Sequence, residues 1–392
     1  MQGLFDALDP IQPDALLQLM LKARADERPN KIDAGVGVYK TSDGDTPVMR
    51  AVKVAEARLH EMQDSKSYLG MRGDQAYAEA IGKMLFGPTW GSDRMVGLQT
   101  PGGCGALALG FALIKAARPE AKVLVGTPTW PNHAPIIEGA GLAIETYDYY
   151  EKSQTCLRFD AMVDALERAA PGDVALLHAC CHNPTGADLD AGQWAKLRAI
   201  VADRGLIPFV DIAYQGLGEG LDEDATGMRS VVEAADEAIV AQSCDKNFGM
   251  YRDRVGTLFL KGRDADGAAH ALDWAMQIGR ELWSMPPDHG AAVVRIVLED
   301  EELRADWHAE LDSMRGRINA LRSRIAACDP RLDFIGRQRG MFSMLPIDPT
   351  QVERLREEYA IYVAGSGRFN VCGMGDDQVD YFCDSVKAVM DG

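Results

Sequence analysis

The sequence predicts an α/β protein: a large domain on a mostly parallel central sheet flanked by helices, joined to a smaller α+β domain. Three observations carry this. Between about residues 48 and 300, short apolar runs alternate with helix-like segments, as crossover connections between parallel strands require. Each apolar run ends in a loop of unusual polar residues, which is how an open α/β sheet presents a site at its strands' carboxyl ends. Finally, a charged helical stretch with few breakers, from residue 302 to about 327, separates this alternation from a tail that reads strand, helix, strand, helix. At 392 residues the chain is long enough for two such lobes.

Taken in order, residues 1–14 are polar and punctuated by Pro10 and Pro13, and read as an arm lying on another surface such as a partner subunit. Helical spacing begins at Ala15 and stops before the charged turn Ala25-Asp26-Glu27-Arg28-Pro29. A glycine-rich extended piece follows over residues 33–40. The small domain is expected to comprise residues 15–47 and 301–392, and the large one residues 48–300. Within the large domain, a strand over residues 95–99 leads into Gly102-Gly103-Cys104-Gly105 and an apolar helix through Lys115. The run 123–126 feeds a loop containing Trp130-Pro131-Asn132-His133. Residues 174–178 feed Ala179-Cys180-Cys181-His182-Asn183-Pro184-Thr185-Gly186, then a helix over 194–202. The strand 206–210 feeds Asp211-Ile212-Ala213-Tyr214. A last apolar run from Ile239 turns abruptly polar at Ser243-Cys244-Asp245-Lys246-Asn247-Phe248-Gly249.

The formal net charge of −18 argues against nucleic acid and anionic membrane surfaces as partners. An anionic substrate then needs locally clustered arginines. The eight cysteines include no C-x-x-C pair, a pattern that fits reduced thiols in a cytoplasmic protein better than a disulfide framework. No basic and apolar leader opens the sequence, and no apolar run approaches the length of a membrane span.

Several residues carry chemistry by type and place. Lys246 is delivered to the end of a buried strand, where desolvation turns an amine into a nucleophile toward carbonyl carbon. Ser243 and Arg254 flank it in sequence and suit an anion held beside that amine. Small residues at Gly102-Gly103-Cys104-Gly105, opening a helix, let backbone N–H groups approach a phosphate. The same glycines loosely fit a dinucleotide fingerprint, but the next strand ends in Gly126-Thr127 rather than in an acid. Asp211 closes an apolar strand and needs a cationic or N–H partner, unless it is a helix N-cap. Tyr214 reads as a ring-oxygen donor or a half-buried core tyrosine, Trp130 as a stacking platform or packing, and His133 as a carboxylate's support or a surface histidine. His178 and His182, four apart, suggest a metal pair, but Asn183-Pro184-Thr185-Gly186 denies the helix that would place them on one face; no metal is expected. Arg280 and Arg368 suit a substrate with two carboxylates, or surface ion pairs.

Together these segments resemble the class I aminotransferases of pyridoxal phosphate (PLP) fold type I, closest to the bacterial aspartate and aromatic amino acid enzymes. The likeness runs from Lys31-Ile32-Asp33 to Arg368 and rests on Ser67-Tyr68-Leu69-Gly70, Trp130-Pro131-Asn132-His133, Cys181-His182-Asn183-Pro184-Thr185-Gly186 and Lys246-Asn247-Phe248-Gly249. The resemblance implies that Lys246 holds PLP covalently and that Asp211, with His133 and His178 behind it, binds the ring nitrogen. It implies that Asn183 and Tyr214 reach the ring oxygen and that Trp130 lies against the ring. The phosphate would meet Gly103, Cys104, Ser243, Arg254 and, from a second subunit, Tyr68. The substrate would meet Gly37, Trp130, Asn183 and Arg368, with Arg280 supplied by the partner of a homodimer.

Three positions depart from the family pattern: Cys104 stands where Thr or Ser is usual, Asp245 where Ser is common, and Met285 where aspartate-dedicated members carry Asn. A carboxylate at 245 is expected to repel a phosphate unless it points away, and a thioether at 285 favours an apolar substrate side chain. The resulting expectation is transfer of the α-amino group of an aromatic, and also a dicarboxylic, L-amino acid to 2-oxoglutarate. A dicarboxylate-preferring aspartate aminotransferase, a PLP lyase or decarboxylase on the same fold, and a non-catalytic PLP-binding dimer stay open.

Overall fold

The structure, a computed structural model, describes residues 3–11 and 14–392. A seven-stranded sheet forms its centre: β1 (Met95–Pro101), β2 (Lys122–Thr127), β3 (Ala143–Asp148), β4 (Val174–His178), β5 (Ile207–Ile212), β6 (Ala238–Ser243) and β7 (Val255–Lys261), in the order β1-β7-β6-β5-β4-β2-β3. Neighbours from β6 through β3 run parallel, while β7 is antiparallel to both β6 and β1. The connection from Ser243 to Val255 is too short for a crossover, so the chain returns beside the strand it has just left.

The strands are apolar on both faces because both faces are covered. Val123, Val125, Leu176, Phe209, Ile239 and Ala241 belong to one core, and the alternating Leu124, Ala175, Leu177, Val210 and Val240 to another. The helix α1 (Gly102–Ala117) lies so tightly on the first face that a Cβ at Gly110 would meet the Phe209 ring at 2.5 Å.

The charged helical stretch is a single 28-residue helix, α2 (Glu301–Cys328), capped by Asp300, whose carboxylate accepts the Leu303 N–H. Leu303, Trp307, Leu311, Met314, Ile318, Leu321 and Ile325 form its buried stripe. This helix also supports the loop after β6: the Trp307 indole stacks on Phe248 at 4.5 Å, and its Nε1–H donates to the Asn247 carbonyl at 2.7 Å. Beyond it, Phe342–Met344 pairs antiparallel with Arg368–Asn370, and Ile361–Tyr362 pairs parallel with Ile32–Asp33, joining the two ends of the chain.

Several expectations need correction. The extended piece over 33–40 is strand only at Ile32–Asp33; beyond that Ala34 donates its N–H to the Tyr362 carbonyl and accepts the Asn370 N–H, and the Tyr39 N–H donates to the Tyr251 hydroxyl. The tail begins with a 3₁₀ helix, Pro330–Arg337, before its first strand. Of the proposed arm, residues 1, 2, 12 and 13 lie outside the described residues; Leu4, Phe5, Leu8 and Ile11 are exposed. Nor are all eight cysteines free, because Cys328 and Cys383 are joined, 55 residues apart with Cα atoms 6.1 Å apart. The pairing comes from packing of the end of α2 against the last helix, Val379–Met390, and no local spacing announces it. Denatured without reductant, the protein is expected to yield six titratable thiols, and eight after reduction; eight in both states would show that the pair is not joined.

Candidate active site

Strand direction and register gather the polar residues at one edge of the sheet. His178 and Asp211 are register neighbours at the ends of β4 and β5, and Ser243 pairs with Gly256 just inside β7. Because β7 runs the other way, its first residues lie at the edge where β1, β5 and β6 end, and Arg254 reaches the site from there. Gly256 permits this closeness, since a Cβ there would meet the Gly102 carbonyl carbon at 2.4 Å. Lys246 is not on a strand; it lies three residues past the end of β6, in the turn that Trp307 supports.

Asp211 is met by a chain of donors. The Nε2 of His133, fully buried, is 3.1 Å from its Oδ2; the His133 Nδ1 is 2.8 Å from Thr129 Oγ1, which is 3.0 Å from His178 Nε2. One assignment satisfies every group: His178 donates to Thr129, the Thr129 hydroxyl donates to His133, and His133 donates to Asp211. Burial works against the Asp211 charge, but the His133 donor and the nearby Lys246 hold the carboxyl below its ordinary range. Burial, and then His133, push His178 down to about 3, and burial with His178 holds His182 well below its ordinary value. Both are neutral.

The metal pair foreseen as unlikely for want of a helix does come together in space, but as packed rings. His178 and His182 have centroids 4.2 Å apart, and His182 stacks on Tyr149 at 4.2 Å. Cys181, at φ 52°, turns the chain back to allow this. Asp188 fixes the turn by accepting the Cys181 and His182 N–H groups at 2.6 and 2.8 Å, and burial pushes its carboxyl up to about 6. The ring nitrogens bond hydroxyls, His182 Nδ1 lying 2.9 Å from Thr185 Oγ1.

On the other side of the cleft, Asp245 does not point away. Its Oδ1 and Oδ2 lie 3.1 and 3.0 Å from Arg254 Nη1, and Oδ2 is 3.6 Å from Lys246 Nζ. Arg254 adopts φ 54°, a strained conformation for a side-chain-bearing residue, and packs against Gly102, where a Cβ would meet its Nη2 at 2.4 Å. Ser243 Oγ accepts the Asp245 N–H at 3.2 Å, so its own hydrogen is free to face the cleft. Burial pushes the Cys104 thiol up, keeping it protonated.

A third group sits toward the small sheets. The Asn183 amide donates to the Tyr214 hydroxyl at 3.4 Å, and burial keeps that phenol protonated. Arg368 Nη1 donates to Asn183 Oδ1 at 3.4 Å and Nη2 to the Gly35 carbonyl at 3.0 Å, with its guanidinium carbon 4.8 Å from the Phe342 ring centre. Among the described residues no carboxylate meets Arg368, and its buried Nε has no partner. Gly37 lies over the edge of the same Phe342 ring, where a Cβ would come within 3.1 Å. Sequence reasoning missed Gly35, Phe342 and Thr129, none of which has a distinctive pattern.

The cleft is lined by Gly103, Cys104, Trp130, His178, Asn183, Asp211, Tyr214, Ser243, Lys246 and Arg254 of the expected set, together with Leu107, Ala213 and Asp245. His133 lies behind it, its ring 5.2 Å from Trp130 in an edge-on contact. Tyr68, 90% exposed, and Arg280, also exposed, are outside the cleft of their own chain.

An open α/β sheet with a lysine amine, an anion cup and a buried, chain-supported carboxylate at its carboxyl edge defines an enzyme that works through a carbonyl-bearing group. The comparisons make the class specific. Residues 29–386 match the family model of aminotransferase class I and II, and the chain belongs to that family; it is an enzyme of the transaminase type. It is 48% identical over 375 residues to a tyrosine aminotransferase of Rhizobium meliloti, covering 95% of this chain and 96% of that one. It is 40% identical to an aspartate aminotransferase of Haemophilus influenzae, covering 99% and 100%. Among solved structures it superposes, at a TM-score of 0.96 and 39% identity over 99% of both chains, on an aromatic-amino-acid aminotransferase from Burkholderia pseudomallei covalently bound to pyridoxal phosphate.

The neutral histidines make stability depend on pH with a definite sign. In the unfolded chain His178 titrates near 6.5, whereas in the fold it does so at about 3. Between those values the unfolded state binds more protons, so stability is complete above the upper one and drains away as acid is added. His178→Asn is expected to lower the slope of unfolding free energy between about pH 4 and 6 by up to about 1.4 kcal/mol per pH unit. An unchanged slope in chemical denaturation would contradict the buried, uncharged His178.

Proposed function

We propose that this chain is a PLP-dependent aminotransferase that passes the α-amino group of aromatic and dicarboxylic L-amino acids to 2-oxoglutarate. The observation that carries it is the convergence of Lys246, Asp211 and Arg254 on one cleft beside a buried Arg368 that has no anionic partner among the described residues. The residues present fit the cofactor. Gly103, Cys104, Ser243 and Arg254 form a cup for its phosphate at the positive end of α1, Asp211 supplies an anion for a protonated ring nitrogen, and Trp130 offers a flat face.

When bound, PLP supplies an electron sink for the charge left as a proton leaves the substrate's α-carbon. The chain's own residues do the rest. Asp211, kept anionic through His133, Thr129 and His178, holds the ring-nitrogen proton in place. Tyr214, kept protonated and oriented by Asn183, donates to a ring oxygen. Arg368, with Asn183, grips the α-carboxylate; satisfying its orphaned guanidinium is what draws that carboxylate in. Lys246 Nζ is the base that takes the α-proton once its amine is free.

The reading extends to a homodimer in which Tyr68 and Arg280 of each subunit complete the other's site, Arg280 meeting a distal carboxylate. It also includes a small domain of residues 15–47 and 301–392, a large domain of residues 48–300, and a cytoplasmic place of work. Six unpaired cysteines support the last point. Among the described residues no helix is long and apolar enough to cross a membrane. The aromatic preference is supported by the names of the relatives and by the apolar Met285, whose sulfur accepts the Leu69 N–H at 3.1 Å.

Borohydride reduction of the PLP-loaded protein followed by digestion is expected to leave the cofactor's mass on the peptide bearing Lys246; a tag elsewhere, or none, would sink the reading. In a donor panel against 2-oxoglutarate, Lys246→Ala is expected to lower turnover by roughly 10²-fold or more. Arg280→Leu is expected to cut kcat/KM for aspartate by roughly 10- to 200-fold, the worth of a charged hydrogen bond, while phenylalanine keeps most of its rate. Equal losses for both donors would remove Arg280 from the distal pocket.

A further inference from the structure

The anion cup already contains an anion of its own. Asp245 places both carboxylate oxygens on Arg254 Nη1 and brings Oδ2 to 3.6 Å from Lys246 Nζ. It therefore bridges the two cations with which a phosphorylated aldehyde would have to engage. The side chains of Asp245 and Lys246 are 13% and 18% exposed, so solvent screens this contact only partly. The rest of the cup compensates little. Cys104 is a protonated thiol, a weak donor, and its sulfur is engaged only distantly by the Asn132 amide, at 3.9 Å. Ser243 is the cup's one hydroxyl, oriented by the Asp245 backbone.

We infer that Asp245 is a built-in competitor for the cofactor's phosphate: loading exchanges one anion for another at Arg254, so this protein holds PLP by its phosphate more weakly than its cup of donors would otherwise allow. The inference rests on the cofactor reading above and adds a residue that sets the strength and exchangeability of cofactor binding. A phosphate carrying nearly two negative charges, seated on the same guanidinium, lies within reach of the Asp245 carboxylate, and like charges so juxtaposed oppose binding. The aldehyde end of the cofactor feels this far less, because its capture by the lysine brings no new negative charge.

The test separates the two ends of the cofactor. Full-length protein stripped of cofactor is titrated with PLP, with pyridoxal (the same aldehyde without phosphate) and with inorganic phosphate, in wild type, Asp245→Asn and Asp245→Ser. Folding is checked by thermal melting, and two variants are used so that one unstable protein does not end the test. Removing the carboxylate is expected to tighten PLP and inorganic phosphate by about tenfold or more, the scale of a like-charge contact, and to change pyridoxal by less than about threefold. Unchanged or weakened PLP binding in the folded variants would overturn the inference, weakening meaning that Asp245 orients Arg254 for the phosphate. If wild type forms no lysine-linked chromophore with either aldehyde, the cofactor reading fails. A chromophore with unaltered affinities in the variants sinks only the role given to Asp245.

Discussion

A carboxylate buried at the end of an apolar strand is tolerated only where donors surround it, and much of the site follows from meeting that demand at Asp211. His133 serves as the donor only as the tautomer with hydrogen on Nε2, which Thr129 enforces from the other ring nitrogen, and Thr129 is in turn directed by His178. His178 packs on His182, His182 on Tyr149, and the Tyr149 hydroxyl donates to the Ala187 carbonyl at 2.7 Å. Ala187 immediately follows the turn bearing Asn183. One charge thus couples the end of β5 to the segments after β2, β3 and β4, and holding it anionic also fixes the residues that would touch substrate.

The two buried arginines show how the fold separates structure from readiness. Arg322, 1% exposed, donates to the carbonyls of Ile335, Arg339, Gly340 and Phe342, and none of its nitrogens is left over. It serves as a staple between α2 and the strand bearing Phe342. Arg368 is nearly as buried but meets only one amide oxygen and one carbonyl, and burial pushes its pKa down. A guanidinium kept in that condition gains most from a carboxylate that arrives from outside. In a chain of net charge −18, such local undersatisfaction, rather than the long-range field, is what would select an anionic substrate on the proposed reading.

The fold was legible because its signals are local. Alternation of apolar runs and helical spacing marks the strands, and the charged stretch with few breakers marks α2 to within a residue at each end. The polar members of the site were legible for the same reason: Lys246, Asp211 and Asn183 are costly where they stand, so their position in the pattern is informative. What stayed hidden depends on long-range geometry. Phe342 under Arg368 is one apolar residue among many, Gly35 contributes only a carbonyl, and the Cys328–Cys383 pair is made by two helices meeting. His178 and His182 show the limit of spacing arguments, since a left-handed Cys181 brings together rings that a helical wheel keeps apart. Asp245 was visible as a departure, but its direction was decided by Arg254, which returns on an antiparallel strand whose partner only the fold reveals.

A single chain builds a cleft that can hold a cofactor and one carboxylate but does not close it. Tyr68 is 90% exposed, and large apolar side chains stand out in the same stretches of chain as Tyr68 and Arg280: Met62 at 69%, Leu69 at 49%, Leu282 at 55% and Trp274 at 53%. Leu and Trp side chains exposed beside polar residues with a proposed role in the site are what a subunit interface looks like before it is covered. On the proposed dimer, the division of labour has a physical logic. The groups that set protonation, Asp211, Tyr214 and His178, all come from one chain, where its own packing fixes them. The groups that read the substrate's far end come from the other, where a change at Arg280 or Met285 alters selectivity without disturbing the buried network that Asp211 requires.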